Sequence, residues 1–276
     1  MGAKEERNMK IISVAGMRRR TCFQTVCHRA MTADLVVVAG ELLDPTITDA
    51  SAWEIELEWL AEWSQALRDI GPLAVALGFR DRGILDQAVS NGWIRPDWRS
   101  FFAPGTVLEG HNHLIEIGGR RAFVSVLPSA LERIESWTHQ WACGAMLAGY
   151  HGAPWVVVRG WAPGGTPSAT WYDPWIGEET RIEPDLFSAA VHYYQPNLAL
   201  VGYPGHAPFE GGHWQADLGR TKVLSPGVRQ HDPYPCIIEI DLGMRWARWR
   251  VPGLPASAVS LEGALPASTR GAERTK

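Results

Sequence analysis

The sequence is poor in lysine, and it contains no long hydrophobic segment. Lysine occurs at Lys4, Lys10, Lys222 and Lys276. Residues 11–221 therefore contain none. No apolar run approaches the roughly 18 residues that a membrane helix requires. The formal net charge is −4, whereas nucleic-acid binding relies on clustered positive charge. We therefore expect neither a membrane nor a nucleic acid as partner.

Cysteine is scarce as well. The four cysteines, Cys22, Cys27, Cys143 and Cys236, show no C-x-x-C spacing. Reduced thiols are the simplest interpretation of such a pattern. The opening residues M-G-A-K-E-E-R-N-M-K are charged and lack the apolar core of a secretory signal. The sequence therefore predicts a cytoplasmic protein, and it indicates no metal site and no cofactor.

The chain does contain a regular succession of short apolar runs and amphipathic segments. Residues 34–39 form a continuous β-branched run, which is typical of a strand covered on both faces. Residues 53–69 carry apolar side chains at three- and four-residue steps, which predicts a helix. Strands and helices alternate in this way over residues 9–251, so we expect one domain there. Residues 1–8 and 252–276 are expected to be disordered because they are rich in charge or in small and proline residues.

Several short segments resemble, in their order, the nitrilase superfamily of carbon–nitrogen hydrolases. They are M-K-I-I-S-V-A-G-M (9–17), A-M-T-A-D-L-V-V-V-A-G-E (30–41), F-A-P-G (102–105), I-G-G-R-R-A-F-V-S-V-L (117–127), G-Y-H-G-A-P-W-V-V-V (149–158) and the region 211–226. This resemblance implies an α/β fold, a four-layer α-β-β-α sandwich that pairs into homodimers. It also implies attack of a cysteine on an amide or nitrile carbon, assisted by a glutamate and a lysine.

The residues expected for that reaction are only partly present. By the resemblance, Glu41 stands at the position of the catalytic glutamate, and Leu127 stands where the family has its cysteine. The segment in which the family has its lysine contains Arg95 and Arg99 instead. Arginine can bind an anion there but cannot pass on a proton. The expected Glu-Lys-Cys triad is therefore degenerate.

Other residues near the degenerate triad leave alternatives open. Ser129 follows the expected nucleophile position by two residues and could act as a hydroxyl nucleophile activated by Glu41. Glu132 lies close to the same elbow. Trp155 and Trp161 belong to a tryptophan-rich region that either fills the core or lines a ligand pocket.

Two functions follow from this resemblance as hypotheses. The first is a non-hydrolysing pseudoenzyme that binds a small molecule or a partner subunit. The second is a divergent enzyme of the carbon–nitrogen hydrolase family that acts on an amide-like substrate, with Glu41 as acid or base. The sequence leaves open whether the protein is an enzyme. A homodimer or higher homo-oligomer and an amide-like small molecule are the partners that the resemblance predicts.

Overall fold

The computed structural model describes most of the chain. The described residues are 9–17, 20–44, 46–47, 49–129, 134–173, 178–181, 183–203, 207–210, 213–227 and 235–265. The strands are β1 (Lys10–Val14), β2 (Leu35–Ala39), β3 (Leu73–Ala76), β4 (His111–Ile117), β5 (Arg120–Val126), β6 (Trp155–Trp161), β7 (Thr170–Asp173), β8 (Glu178–Arg181), β9 (Leu198–Tyr203), β10 (Gln215–Leu218), β11 (Thr221–Leu224), β12 (Ile237–Asp241), β13 (Trp246–Arg250) and β14 (Ser257–Ser260). The α-helices are α1 (Arg20–Ala30), α2 (Ala50–Ile70), α3 (Phe79–Ser90), α4 (Ile134–His151), α5 (Leu186–Tyr194) and α6 (Ala207–Glu210).

These strands form two six-stranded mixed sheets and a two-stranded ribbon, β7-β8. The first sheet has the order β14-β13-β12-β1-β2-β3, and the second has the order β10-β11-β9-β6-β5-β4. Strands β1, β2 and β3 are parallel to one another, as are β5, β6, β9 and β11. The remaining strands join the sheets in antiparallel pairs.

The two sheets pack face to face, with helices on their outer faces. Because successive side chains of a strand point to opposite faces, Val37 of β2 lies between the sheets while Val36 faces helices α1 to α3. In the second sheet, Val156 of β6 lies in the same central core, and Val157 packs towards α4 and α5. The continuous apolar runs of β2 and β6 are thus explained by burial on both faces.

The sheets come closest at the carboxyl ends of their parallel strands. A Cβ atom on Gly160 of β6 would overlap the backbone carbonyl of Leu77, and one on Gly202 of β9 would overlap that of Ala39. Backbone contact of this kind requires glycine, which alone lacks a Cβ. The loops that follow β2, β3 and β6 are consequently held next to one another.

The predicted segments 34–39 and 53–69 correspond to β2 and α2. The structure differs from the sequence-based expectation in two places. Helix α3 was not foreseen, because its charged residues and a glycine hide the apolar stripe. The segment beyond residue 251 contains β14, which pairs with β13 and is followed by the buried Leu261. None of the described helices is long and apolar enough to cross a lipid bilayer.

Candidate functional site

Asp81 lies in the first turn of α3, directly after the carboxyl end of β3, and is almost fully buried. Its Oδ1 accepts hydrogen bonds from the backbone N–H groups of Leu42 and Leu43, each at 2.9 Å. Its Oδ2 accepts one from Gly78 at 2.7 Å. Burial raises the pKa of Asp81 to about 6, and the charge of Glu41 adds to the rise while the backbone hydrogen bonds oppose it. The carboxylate thus ties the loop after β2 to the start of α3.

Glu109 precedes β4 and joins the ends of the two sheets. Its Oε1 accepts hydrogen bonds from the backbone N–H groups of Leu77, after β3, at 3.0 Å and of Ser129, after β5, at 3.1 Å. The Ser129 hydroxyl donates to Oε2 at 3.4 Å. Burial raises the pKa of Glu109 to about 7, against the hydrogen bonds from Ser129 and Leu77 and the charge of Arg82. A carboxyl group with this pKa exchanges its proton near neutral pH, as a general acid or base must.

Arg159 is a charged side chain within the otherwise apolar β6, and it is only 5% exposed. Its Nη1 lies 3.7 Å from Oδ2 of Asp185, the N-cap residue of α5, and its guanidinium carbon lies 4.6 Å from the ring centre of Phe187. Among the described residues, its Nε and Nη1 have no hydrogen-bond acceptor. Burial lowers the pKa of Arg159, and the charges of Asp185 and Glu109 oppose that change. Arg159 and Glu109 are therefore within electrostatic reach of each other.

Glu41 stands at the carboxyl end of β2 in an unusual backbone conformation. Its φ angle is 58° and that of Gly40 before it is 73°, so two successive residues are left-handed. For a residue with a Cβ this conformation costs roughly 1–2 kcal/mol, which the surrounding structure must offset. Glu41 is buried, and its charge reaches Asp81. Such strain often accompanies functional sites, and the predicted site role of Glu41 remains a prediction.

The two residues expected at the nucleophile elbow lie in different environments. The Leu127 side chain is buried in the apolar layer between the second sheet and α4, and its backbone N–H donates to the Val158 carbonyl at 2.9 Å. Ser129 is half-buried and hydrogen-bonds to Glu109, not to Glu41 in any described contact. The structure therefore pairs the candidate hydroxyl with a carboxylate other than the one expected from the sequence.

The remaining predicted site residues do not gather at this cluster. Arg95 and Arg99 are exposed, and the Arg99 guanidinium carbon lies 4.8 Å from the ring centre of the adjacent Trp98. The Trp155 side chain is buried and donates its indole N–H to the Ser125 hydroxyl at 2.9 Å. The remaining two are Trp161, half-buried at the end of β6, and Glu132, which lies outside the described residues.

The sequence-based reasoning did not identify Asp81, Glu109 or Arg159. The sequence does contain a pattern that indicates Arg159. Residues 136–158 contain no Asp, Glu, Lys or Arg, so Arg159 is the first charge after a long neutral stretch and follows three valines of a predicted strand. A charge at such a position must be buried and therefore needs a partner. Asp81 and Glu109 left no comparable signal, because each is flanked by an ordinary polar or turn-forming segment.

No family model matches the chain, and no curated protein matches it. Several solved structures are similar to it. A dimetal phosphatase from Danio rerio matches with a TM-score of 0.53 and 10% identity, over 93% of this chain and 100% of that chain. A purple acid phosphatase from yellow lupin (Lupinus luteus) seeds matches with a TM-score of 0.48 and 12% identity, over 91% of this chain and 53% of that chain. A protein from Streptococcus pneumoniae described as a predicted phosphoesterase matches with a TM-score of 0.34 and 14% identity, over 92% and 98%.

The first of these similarities corrects the expected fold. At 10% identity the match to the dimetal phosphatase shows the fold alone, and the two matches with TM-scores below 0.5 carry no argument. The fold is of the two-sheet α/β type of that phosphatase. The nitrilase-type sandwich is therefore wrong, as are the carbon–nitrogen hydrolase family and both functions derived from it. The resemblance misled because alternating strands and helices recur in unrelated sandwich folds and each of its motifs was short.

The described residues do not fit a two-metal centre. Among them, no group of three or more His, Cys, Asp or Glu side chains is placed to hold a metal ion. The buried carboxylates of Asp81 and Glu109 already accept hydrogen bonds on both oxygens. A metal ion would have to displace these donors. The chemistry that the cluster offers is that of an acid or base whose charge reaches a buried cation.

Proposed function

We propose that this protein binds a small anionic substrate through Arg159 and that Glu109 transfers a proton during its conversion. One observation carries the proposal. A buried carboxyl group with a pKa of about 7 lies within electrostatic reach of a buried guanidinium that has free N–H groups within the described structure. Perturbed acids that stand beside a specific charge partner are concentrated at functional sites.

The anion-binding role of Arg159 follows from its incomplete pairing. A buried N–H group without an acceptor is costly, and a charged one more so. Asp185, at 3.7 Å, offsets the charge but does not accept a hydrogen bond from Nε or Nη1. A bound carboxylate or phosphate group would supply two oxygens in the planar arrangement that guanidinium favours.

The proton-transfer role of Glu109 follows from its pKa and from the direction of its hydrogen bonds. Near neutral pH the carboxyl group is present in both protonation states. When it is charged, the Ser129 hydroxyl donates to it; when it is protonated, it can donate to that hydroxyl or to a substrate oxygen. Ser129 is thus a group through which the proton can pass.

Phosphoesters are the first substrate class to test. The site lies at the carboxyl ends of parallel strands, where α/β sheets commonly bind ligands, and the structure of similar fold is a phosphatase. The amide-like ligand expected from the sequence rested on the corrected family resemblance. A cytoplasmic location also remains a proposal, supported by the free thiols of Cys27 and Cys143.

The test is calorimetric binding of inorganic phosphate and phenyl phosphate, with phenol as the neutral control, in the presence of a chelator. A hydrogen bond to a charged group contributes about 1.5–3 kcal/mol, so Arg159→Met should weaken phosphate binding at least about tenfold. The matched variant Arg99→Met, at an exposed site, should bind as the parent does. Phenyl phosphate turnover should show a step near pH 7 that Glu109→Gln lacks.

Three outcomes decide the proposal. Equal phosphate binding by the parent and by Arg159→Met would refute the anion site. Binding of carboxylate ligands alone would keep the site but remove the phosphoester assignment. A pH step that persists in Glu109→Gln would show that another group carries the proton.

A further inference from the structure

The two outer helix layers differ sharply in charge. Helix α2, on the first sheet, exposes Glu54, Glu58, Glu62 and Asp69. Helices α4 and α5, on the second sheet, pack against each other. The chain has no Asp, Glu, Lys or Arg over residues 136–158 or 186–209. Nearly all of α4 and the whole of α5 are therefore without formal charge, apart from histidine.

The uncharged layer exposes large apolar side chains. Met146 and Tyr150 of α4 are 64% and 83% exposed, and Leu186 and Tyr193 of α5 are 47% and 80% exposed. These four residues define a surface that we call the α4–α5 face. On α4, Ala142 and Gly149 are exposed beside them and leave room for a neighbouring backbone. Tyr and Met are enriched in protein interfaces, whereas Glu, Asp and Lys are depleted.

We propose that the α4–α5 face binds a second copy of this chain. A two-fold dimer brings the same surface of both copies together, so the surface has to be compatible with itself. The α4–α5 face meets this requirement because the four exposed side chains that define it carry no charge. The acidic face of α2 does not, since each copy would add four carboxylates to the contact. A charged partner, in turn, would find no formal charge to pair with on α5, and on α4 only Glu135 in the first turn.

The dimer would cover the helix that supports the proposed anion site. Helix α5 begins at the N-cap residue Asp185, which lies beside Arg159, and it contains Phe187, on which the Arg159 guanidinium rests. The α4–α5 face is on the solvent side of this helix. The dimer contact is nevertheless independent of any ligand, so its test does not depend on the proposed function.

The experiment measures the molar mass of the full chain by sedimentation over a concentration series. The parent should reach twice the 30.5 kDa chain mass. Met146→Glu and Tyr193→Glu should be monomeric where the parent is dimeric, a loss of at least about tenfold in dimer affinity. Ile55→Glu, which replaces a side chain that is 59% exposed on α2, should remain a dimer. A parent that is monomeric at every concentration, or an Ile55→Glu effect equal to that of Met146→Glu, would overturn the proposal.

A second measurement uses the parent protein alone and needs no variant. Met146 and Met244 are almost equally exposed in one chain, at 64% and 66%, but only Met146 lies on the α4–α5 face. Limited oxidation with hydrogen peroxide should therefore modify Met244 equally in dilute and concentrated solution, and should modify Met146 several-fold less in concentrated solution. Equal oxidation of both methionines in concentrated solution would exclude contact through this face.

Discussion

The end of each sheet holds a buried carboxylate, and the two are bound in different ways. Asp81, at the end of the first sheet, accepts three backbone N–H groups and uses both oxygens for them. Glu109, which reaches the second sheet, accepts two backbone N–H groups on Oε1 and, among the described residues, only a hydroxyl on Oε2. A backbone N–H can only donate, whereas a hydroxyl can donate or accept.

This difference separates a structural acid from a candidate catalytic one. Burial raises the pKa of both groups, so the pKa alone does not distinguish them. A proton added to Asp81 would meet N–H donors on both oxygens. A proton added to Glu109 would meet the Ser129 oxygen, which can accept it. The hydrogen-bond partners, rather than the burial, indicate which carboxylate can change its protonation state without disturbing the fold.

The largest effect is expected where both carboxylates depend on the same backbone contact. Gly160 packs against Leu77 and Gly78, whose N–H groups bind Glu109 and Asp81. In Gly160→Ala the new methyl group would force the sheets apart, and we expect a loss of about 3 kcal/mol or more in the free energy of unfolding, measured by urea denaturation. Gly83→Ala is the control, because that helical glycine has open space and should gain up to about 1 kcal/mol. A mild effect at Gly160 would mean that the sheets can separate locally.

A smaller effect should appear in the pH dependence of stability. Because the pKa of Glu109 is raised from 4.5 to about 7 in the folded protein, the folded chain keeps a proton that the unfolded chain loses between these values. Stability should therefore fall as pH rises from about 4.5 to 7, by up to about 3 kcal/mol, and stay level above. The pKa of Asp81 is raised from 3.8 to about 6, so the decrease in stability that Asp81 causes should be complete near pH 6.

Glu109→Gln separates the two contributions. The variant should lose the decrease between pH 6 and 7 and keep, between pH 4 and 6, only the part that Asp81 contributes. Thermal unfolding at fixed ionic strength measures both parts. It should be more stable than the parent at pH 8, since it buries no charge. If the stability of Glu109→Gln falls up to pH 7 as steeply as that of the parent, another group titrates in this range.

The last expected effect concerns the hydrogen-bond donors around the two acids. In Asp81→Asn, the new amide N–H₂ would face either Gly78 or the two backbone N–H groups of Leu42 and Leu43. One or two buried donors would lose their acceptor, at about 1–3 kcal/mol each. Glu109→Gln should cost far less at pH 5, because its amide oxygen can keep both backbone bonds and its nitrogen can donate to Ser129. Equal losses in the free energy of unfolding of Asp81→Asn and Glu109→Gln at pH 5 would show that the two carboxylates do not differ in this way.

Local sequence patterns predicted much of the secondary structure and little of the site. The β-branched run of β2 and the three- and four-residue periodicity of α2 are local signals, and the structure contains both elements. Glu41 was recognised as a residue at a strand end, but its φ angle of 58° could not be read from the sequence. Ser129 was one open alternative, a nucleophile that Glu41 could activate, and it hydrogen-bonds to Glu109, 20 residues earlier in the chain.

The sequence by itself determined which segments are buried and the period of their side chains, because hydrophobicity and backbone propensity act over neighbouring residues. It also determined that the segment of α2 is acidic, whereas the segment of α5 and nearly all of that of α4 carry no formal charge apart from histidine. Only the tertiary structure decided which sheet each strand joined and which carboxylate accepts hydrogen bonds from Ser129. Those contacts depend on how closely the strand ends of two sheets approach, at Gly160 and Gly202, and such approaches are made by residues far apart in the chain.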